Sequence, residues 1–128
     1  NIAIEDYEVL IIDTIGILTK IYSYADLAYV GGGFVTGLHN TLEPAVFGIP
    51  VIIGPNFNGF AEAEELVQLG GVNSIKDLSQ FNSLVNTYSE NNEYRLKIGQ
   101  INAKYIQEKA GATKRIVNEL KSVFPIKN

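Results

Sequence analysis

The chain has 128 residues, is 46% hydrophobic and 19% charged, and carries a formal net charge of -4. This length suits one domain with a true core, and the composition is that of a soluble globular protein rather than a disordered one. There is no cysteine and one histidine, His39, which excludes disulfides, thiol nucleophiles and cysteine or multi-histidine metal sites, while the acidic balance argues against nonspecific nucleic-acid binding.

The N-terminal stretch NIAIEDYEVLII has no basic region followed by an apolar one, so it does not read as a signal peptide. It lacks a starting Met and leads almost at once into a strand pattern, as a piece of a longer protein would. Val9 to Ile12 is a continuous aliphatic run that predicts a buried strand. Asp13-Thr14 and Gly16 end it and open a helix to about Tyr24. Leu27 to Val30 is the next predicted strand, broken by Gly31-Gly32-Gly33, with a loop to Leu38. A short helix is predicted over Asn40 to Phe47, stopped by Gly48. Pro50 opens the strand Val51 to Ile53, and Gly54-Pro55 ends it.

Glu62 to Leu69 reads as a helix closed by Gly70-Gly71, and Val72 to Ile75 as an edge strand. Asp77 caps the following helix, with Gln80 in the capping-box position. The remainder is helical, with Gly111 separating a helix around Leu96 to Glu108 from a last one. In that last helix Ile116, Leu120, Val123 and Phe124 share a face. Short apolar strands alternating with helices predict an α/β fold: a Rossmann-like, doubly wound parallel sheet with helices on both faces and a helical C-terminal tail. Ligands in such sheets bind beyond the carboxyl ends of the strands.

The glycine triplet stands at such an end. Glycine admits positive φ and lets a ligand approach main-chain N–H groups, although a triplet also serves as a plain tight turn. It fits neither G-x-G-x-x-G nor a P-loop. His39, Asn40 and Thr41 occupy the predicted helix start. Asn and Thr are good caps whatever the function, and unpaired N–H groups there favour an anion. A histidine at that place can donate to a phosphate oxygen. Glu43, one turn on among apolar neighbours, needs partners; it reads either as a capping or solvent-facing carboxylate or as an acceptor for two vicinal hydroxyls of a ribose.

The spacing Glu43-x-x-x-x-Gly48-x-Pro50 behind a glycine-rich strand end resembles the donor-nucleotide half of GT-B glycosyltransferases. The nearer likeness is to bacterial 3-deoxy-D-manno-octulosonic acid (Kdo) transferases. The matching pieces are Asp13-Thr14-Ile15-Gly16, Tyr24 to Gly32, His39-Asn40-Thr41-Leu42-Glu43-Pro44-Ala45, Gly48-Ile49-Pro50-Val51, Gly54-Pro55 and Phe60-Ala61-Glu62. The resemblance covers most of Val9 to Glu65. It implies that residues 1–128 are the C-terminal nucleotide-sugar-binding domain of a two-domain enzyme whose N-terminal acceptor domain is absent. The implied donor is CMP-Kdo and the implied acceptor a lipid A precursor, in lipopolysaccharide biosynthesis at the cytoplasmic face of the bacterial inner membrane. Membrane attachment and the general base would belong to the missing N-terminal part, so no catalytic group is expected here, and the isolated piece should be inactive.

On the same resemblance, Gly31, Gly32 and Gly33 with His39, Asn40 and Thr41 would hold the CMP phosphate and Glu43 the ribose hydroxyls. Ile15 and Gly16 would lie near the cytosine, and Phe60 and Glu62 near the donor sugar. No D-x-D-like cluster is present, so neither metal nor other cofactor is expected. The chain departs from the family pattern at Gly33, often serine, at Ile17, often glutamate, at Gly59, where asparagine is often found, and in the loop Phe34 to Leu38, which lacks a basic residue. Two other readings remain open: another GT-B glycosyltransferase or epimerase using a UDP donor, and a flavodoxin- or receiver-like interaction domain.

Overall fold

The computed structural model describes residues 7–35 and 37–124. Three parallel strands form one sheet in the order β1, β2, β3: β1 is Ala28–Val30, β2 Val51–Ile53 and β3 Val72–Ser74. Ala28 is in register with Val51, and Val51 with Val72. Helix α1 (Leu18–Tyr22) precedes β1, α2 (Leu42–Val46) links β1 to β2, and α3 (Ala61–Leu69) links β2 to β3. Three helices follow among the described residues: α4 (Leu78–Glu90), α5 (Asn92–Lys109) and α6 (Ala112–Val123).

Both faces of the sheet are covered, as the continuously apolar strands require. Val30, Val51, Ile53 and Val72 share one core with Ala45 of α2, Ala63 and Leu66 of α3 and Tyr105 of α5. Ile52 points the other way, into a second core with Ile75, Tyr88 of α4 and Ile98 of α5. This is the predicted α/β architecture, and β3 is the edge strand that its sequence suggested.

Helix α5 is anchored at the amino ends of the strands. Asn102, wholly buried, donates from Nδ2 to the carbonyls of Ile49 (2.7 Å) and Gly71 (2.8 Å), just before β2 and β3. The helix approaches closely because Gly99 faces Gly48: a Cβ on Gly99 would collide with the Gly48 carbonyl. The α4 cap forms as predicted, with Asp77 Oδ1 accepting the Gln80 N–H at 2.8 Å. The reciprocal bond runs from the Lys76 N–H to Gln80 Oε1 (2.9 Å), one residue earlier than in the usual capping box.

Three expectations change. Val9 to Ile12 is not a strand: the segment is irregular and all four side chains are exposed. A strand exists only where its backbone groups are paired, and among the described residues the sheet ends at β1. The helix predicted from Gly16 to Tyr24 shortens to the five residues of α1. Likewise α2 spans Leu42 to Val46 rather than Asn40 to Phe47. In α6, Ile116, Leu120, Val123 and Phe124 do form an apolar face, and that face is exposed. Among the described residues no helix is long and apolar enough to cross a membrane.

Candidate functional site

The loop after β1 closes on itself. The Gly37 N–H donates to the Gly32 carbonyl (3.1 Å) and the His39 N–H to the Gly31 carbonyl (3.2 Å). Gly32 has φ +90°, a conformation open to glycine at little cost, and a Cβ there would collide with the Gly37 carbonyl. The imidazole lies along this turn: its Cδ2 would stand 3.7 Å from a Cβ on Gly31 and 3.1 Å from one on Gly32. Gly33 has a different duty. It packs backbone to backbone on Gly54, where an added Cβ would come within 2.9 Å of the Gly54 nitrogen. Asn56 ties the same two loops, its N–H donating to the Gly33 carbonyl (2.8 Å) and its Nδ2 to the Phe34 carbonyl (3.2 Å).

Asn40 organises the start of α2. Its Oδ1 accepts the Leu42 N–H (2.9 Å), and its Nδ2 donates to Glu43 Oε1 (3.1 Å). Its amide therefore orients the Glu43 carboxylate and caps the first turn. Thr41 is buried at the N-cap position, yet its hydroxyl does not cap the helix. By position the N–H groups of Thr41 and Glu43 have no intrahelical partner. Pro44 has no N–H to satisfy, which suits a first turn. The five-residue α2 carries little macrodipole.

A cleft of about 310 Å³ is lined by Leu38, His39, Asn40, Thr41, Leu42, Phe60, Glu62 and Ala63. Phe60, at the N-cap of α3, reaches across to the loop: its Cζ would be 3.9 Å from a Cβ on Gly37. Glu62 stands in the first turn of α3. The neighbouring loop is held by Glu64, whose Oε1 accepts the Gly59 N–H at 2.8 Å.

Of the residues singled out from sequence, the fold thus brings His39, Asn40, Thr41, Phe60 and Glu62 to one cleft. Gly31 and Gly32 lie under the imidazole, and Glu43 is tied to Asn40. Ile15 and Gly16 do not join them. Ile15 is 99% exposed, and a Cβ on Gly16 would meet nothing within 4 Å. Sequence reasoning passed over Leu38, Leu42 and Ala63 in the wall, and Asn56 as the tie. The Gly54-Pro55-Asn56 turn was the one available signal for the tie.

A second cavity of about 290 Å³ shares Leu42 and Glu62 with the cleft and ends at Glu65, Tyr105 and Lys109. Lys109 Nζ is 2.8 Å from Glu65 Oε2. Hydrogen bonds from Lys109 and Tyr105 hold the Glu65 carboxyl below its ordinary 4.5. Burial, then the bond to Glu65, pushes the Tyr105 hydroxyl up to about 12. A depressed carboxyl pKa stabilises the fold above the unfolded value and stops doing so as pH falls through the folded one. Lys109→Met is therefore expected to move the Glu65 titration upward toward 4.5, read by NMR of the side-chain carboxyl, and to remove its share of acid sensitivity.

No protein-family model matches the chain. Similar curated proteins are 3-deoxy-D-manno-octulosonic acid transferases. That of Chlamydophila psittaci is 31% identical over 121 residues, which cover 93% of this chain and 28% of the relative. That of Haemophilus influenzae is 32% identical over 120 residues, 91% of this chain and 28% of the relative. The chain thus spans little more than a quarter of the length of these relatives. Among solved structures, the C-terminal CMP-Kdo binding domain of WaaA from Acinetobacter baumannii matches 75% of this chain and 51% of its own, at 26% identity and a TM-score of 0.68. This chain is a domain-sized relative of the 3-deoxy-D-manno-octulosonic acid transferases and shares the fold of a CMP-Kdo binding domain.

Proposed function

We propose that this chain is the donor-nucleotide half of an enzyme that transfers Kdo from CMP-Kdo to a lipid A precursor. One observation carries the reading: at the carboxyl end of β1 the His39 imidazole lies over Gly31 and Gly32 while Asn40 aims the Glu43 carboxylate, beside an open cleft. The CMP phosphate meets the imidazole N–H and the unpaired N–H groups of Thr41 and Glu43. Glu43 accepts from the ribose hydroxyls, with Asn40 holding its other oxygen. Phe60 and Glu62, on the far wall, face the sugar.

These groups stabilise the negative charge that grows on the departing CMP phosphate as the glycosidic bond to Kdo breaks. No group of this chain takes the acceptor proton in this reading. That base, the acceptor site and any attachment to the inner membrane belong to parts of the enzyme beyond residues 1–128. The isolated chain binds the nucleotide and transfers nothing.

Calorimetric titration with CMP tests this. Binding in the millimolar range or tighter is expected, with UDP weaker. Glu43→Gln is expected to weaken CMP about tenfold or more, because a hydrogen bond to a charged acceptor is worth about 1.5–3 kcal/mol. No heat at millimolar CMP from folded protein would count against the reading, and stronger binding of UDP would favour another nucleotide-sugar enzyme.

A further inference from the structure

The cavity of about 290 Å³ beside the cleft has no part in the reading above. Leu42 and Glu62 line both spaces, so the two adjoin. Its far walls are Glu65 of α3 and Tyr105, Ile106 and Lys109 of α5. Lys109 Nζ holds Glu65 Oε2 at 2.8 Å and lies 5.4 Å from the centre of the Tyr105 ring. The Tyr105 hydroxyl bonds the same carboxylate. A carboxylate has about four acceptor sites and an ammonium about three donors, so the pair keeps bonding capacity on both sides. The two side chains are 46% and 57% exposed, and an ion pair in such a place adds little stability.

This set of groups suits a neutral polyol. Carboxylates accept from hydroxyls, the ammonium donates to them, and Leu42 and Ile106 offer apolar surface to C–H groups. Two carboxylates, Glu62 and Glu65, against one cation disfavour an anion. The cavity also lies where a sugar would extend. Glu43, the ribose acceptor of the proposed function, stands on the α1 side of α2: burial and then the Glu43 charge raise the Tyr22 hydroxyl above its ordinary 10.0. The nucleoside therefore leaves the phosphate toward α1, and the sugar leaves past Phe60 and Glu62 toward α3 and α5. An octulosonic acid closed into a pyranose ring keeps a vicinal diol outside the ring. Resting on the donor reading above, we propose that this cavity holds that exocyclic diol, with Glu65 and Tyr105 as its hydroxyl partners. Lys109 is a positioning residue that keeps the Glu65 carboxylate turned into the space. The pocket thereby selects a long sugar over a shorter one, since a site built to bond a hydroxyl rejects an analogue that lacks it.

Calorimetry on the 128-residue chain with CMP, CMP-Kdo and the 8-deoxy form of CMP-Kdo tests this. CMP-Kdo is expected to bind about tenfold tighter than CMP, and the 8-deoxy form to lose most of that gain. Glu65→Gln and Tyr105→Phe are expected to remove the gain and leave CMP itself unchanged, with thermal unfolding confirming folded protein. Equal binding of CMP-Kdo and its 8-deoxy form would overturn the proposal. So would variants that weaken CMP and CMP-Kdo alike, which would make Glu65 and Tyr105 structural. CMP bound with CMP-Kdo no tighter removes the diol site and leaves the nucleotide reading standing. Free Kdo, titrated by NMR, is expected to shift the amides of Glu65 and Lys109. That shift, lost in Glu65→Gln, in a chain that binds no CMP would support the diol site and remove the nucleotide reading alone. No shift with free Kdo and no binding of either nucleotide would overturn both.

Discussion

Asn102→Ala is expected to destabilise the chain by about 2–5 kcal/mol, most of what a small domain has to lose. The side chain is wholly buried and its amide donates to two carbonyls, Ile49 and Gly71, on different strand approaches. Truncation leaves both carbonyls desolvated and unpaired, at roughly 1–3 kcal/mol each, and adds a small cavity. Asn102→Leu refills the volume without restoring a donor, so it should rescue little. Asn102→Asp sets a carboxylate against two carbonyl oxygens and should be worse than either. Urea unfolding with an unchanged m-value reads the loss as a shift in midpoint. A loss under about 1 kcal/mol would show that α5 does not clamp the sheet through this residue. The clamp sits at the amino ends of the strands, opposite the cleft, so the folded fraction of Asn102→Ala should bind CMP normally.

Gly32→Ala is expected to act at the other end of the sheet, on binding more than on stability. Two costs coincide. The residue has φ +90°, and its new Cβ meets the Gly37 carbonyl, which is held by the Gly37 N–H bond back to Gly32. The loop must open, and the imidazole resting on it moves. A loss of CMP affinity of about tenfold or more is expected, since small misplacements at a preorganised site are costly. Gly70→Ala is the control. It shares the positive φ (+83°) but has open space around the added carbon and closes α3 away from the loop. It should lose about 1 kcal/mol from backbone strain and no affinity. If both variants bind CMP like the wild type, the Gly31–Gly32 turn is only a turn.

The two ends of the molecule differ in how legible they were. The cleft end is built from local signals: a strand broken by glycines, a polar helix start, and a Glu-to-Pro spacing that survives folding almost unchanged. Asn40 is the exception. Its sequence position marked it as a cap, and only the folded loop shows that its second polar atom is spent on Glu43. The clamp end gave almost nothing away. Gly99 and Asn102 sit inside an unbroken helix, where each is a mild propensity penalty. The reason for both lies in Gly48, Ile49 and Gly71, which are distant in sequence.

By itself, the order of apolar runs, glycines and caps determined an α/β chain with parallel strands and the positions of β1, β2 and β3. Those properties follow from backbone geometry and periodicity, which are local. Tertiary structure alone decided which candidates meet. It gathered His39, Thr41 and Phe60 around one cleft, left Ile15 in solvent, and among the described residues ended the sheet at β1 with Val9 to Ile12 outside it. A strand is completed by its neighbour and a site by the loops that converge on it, and neither is written in the spacing of a single segment.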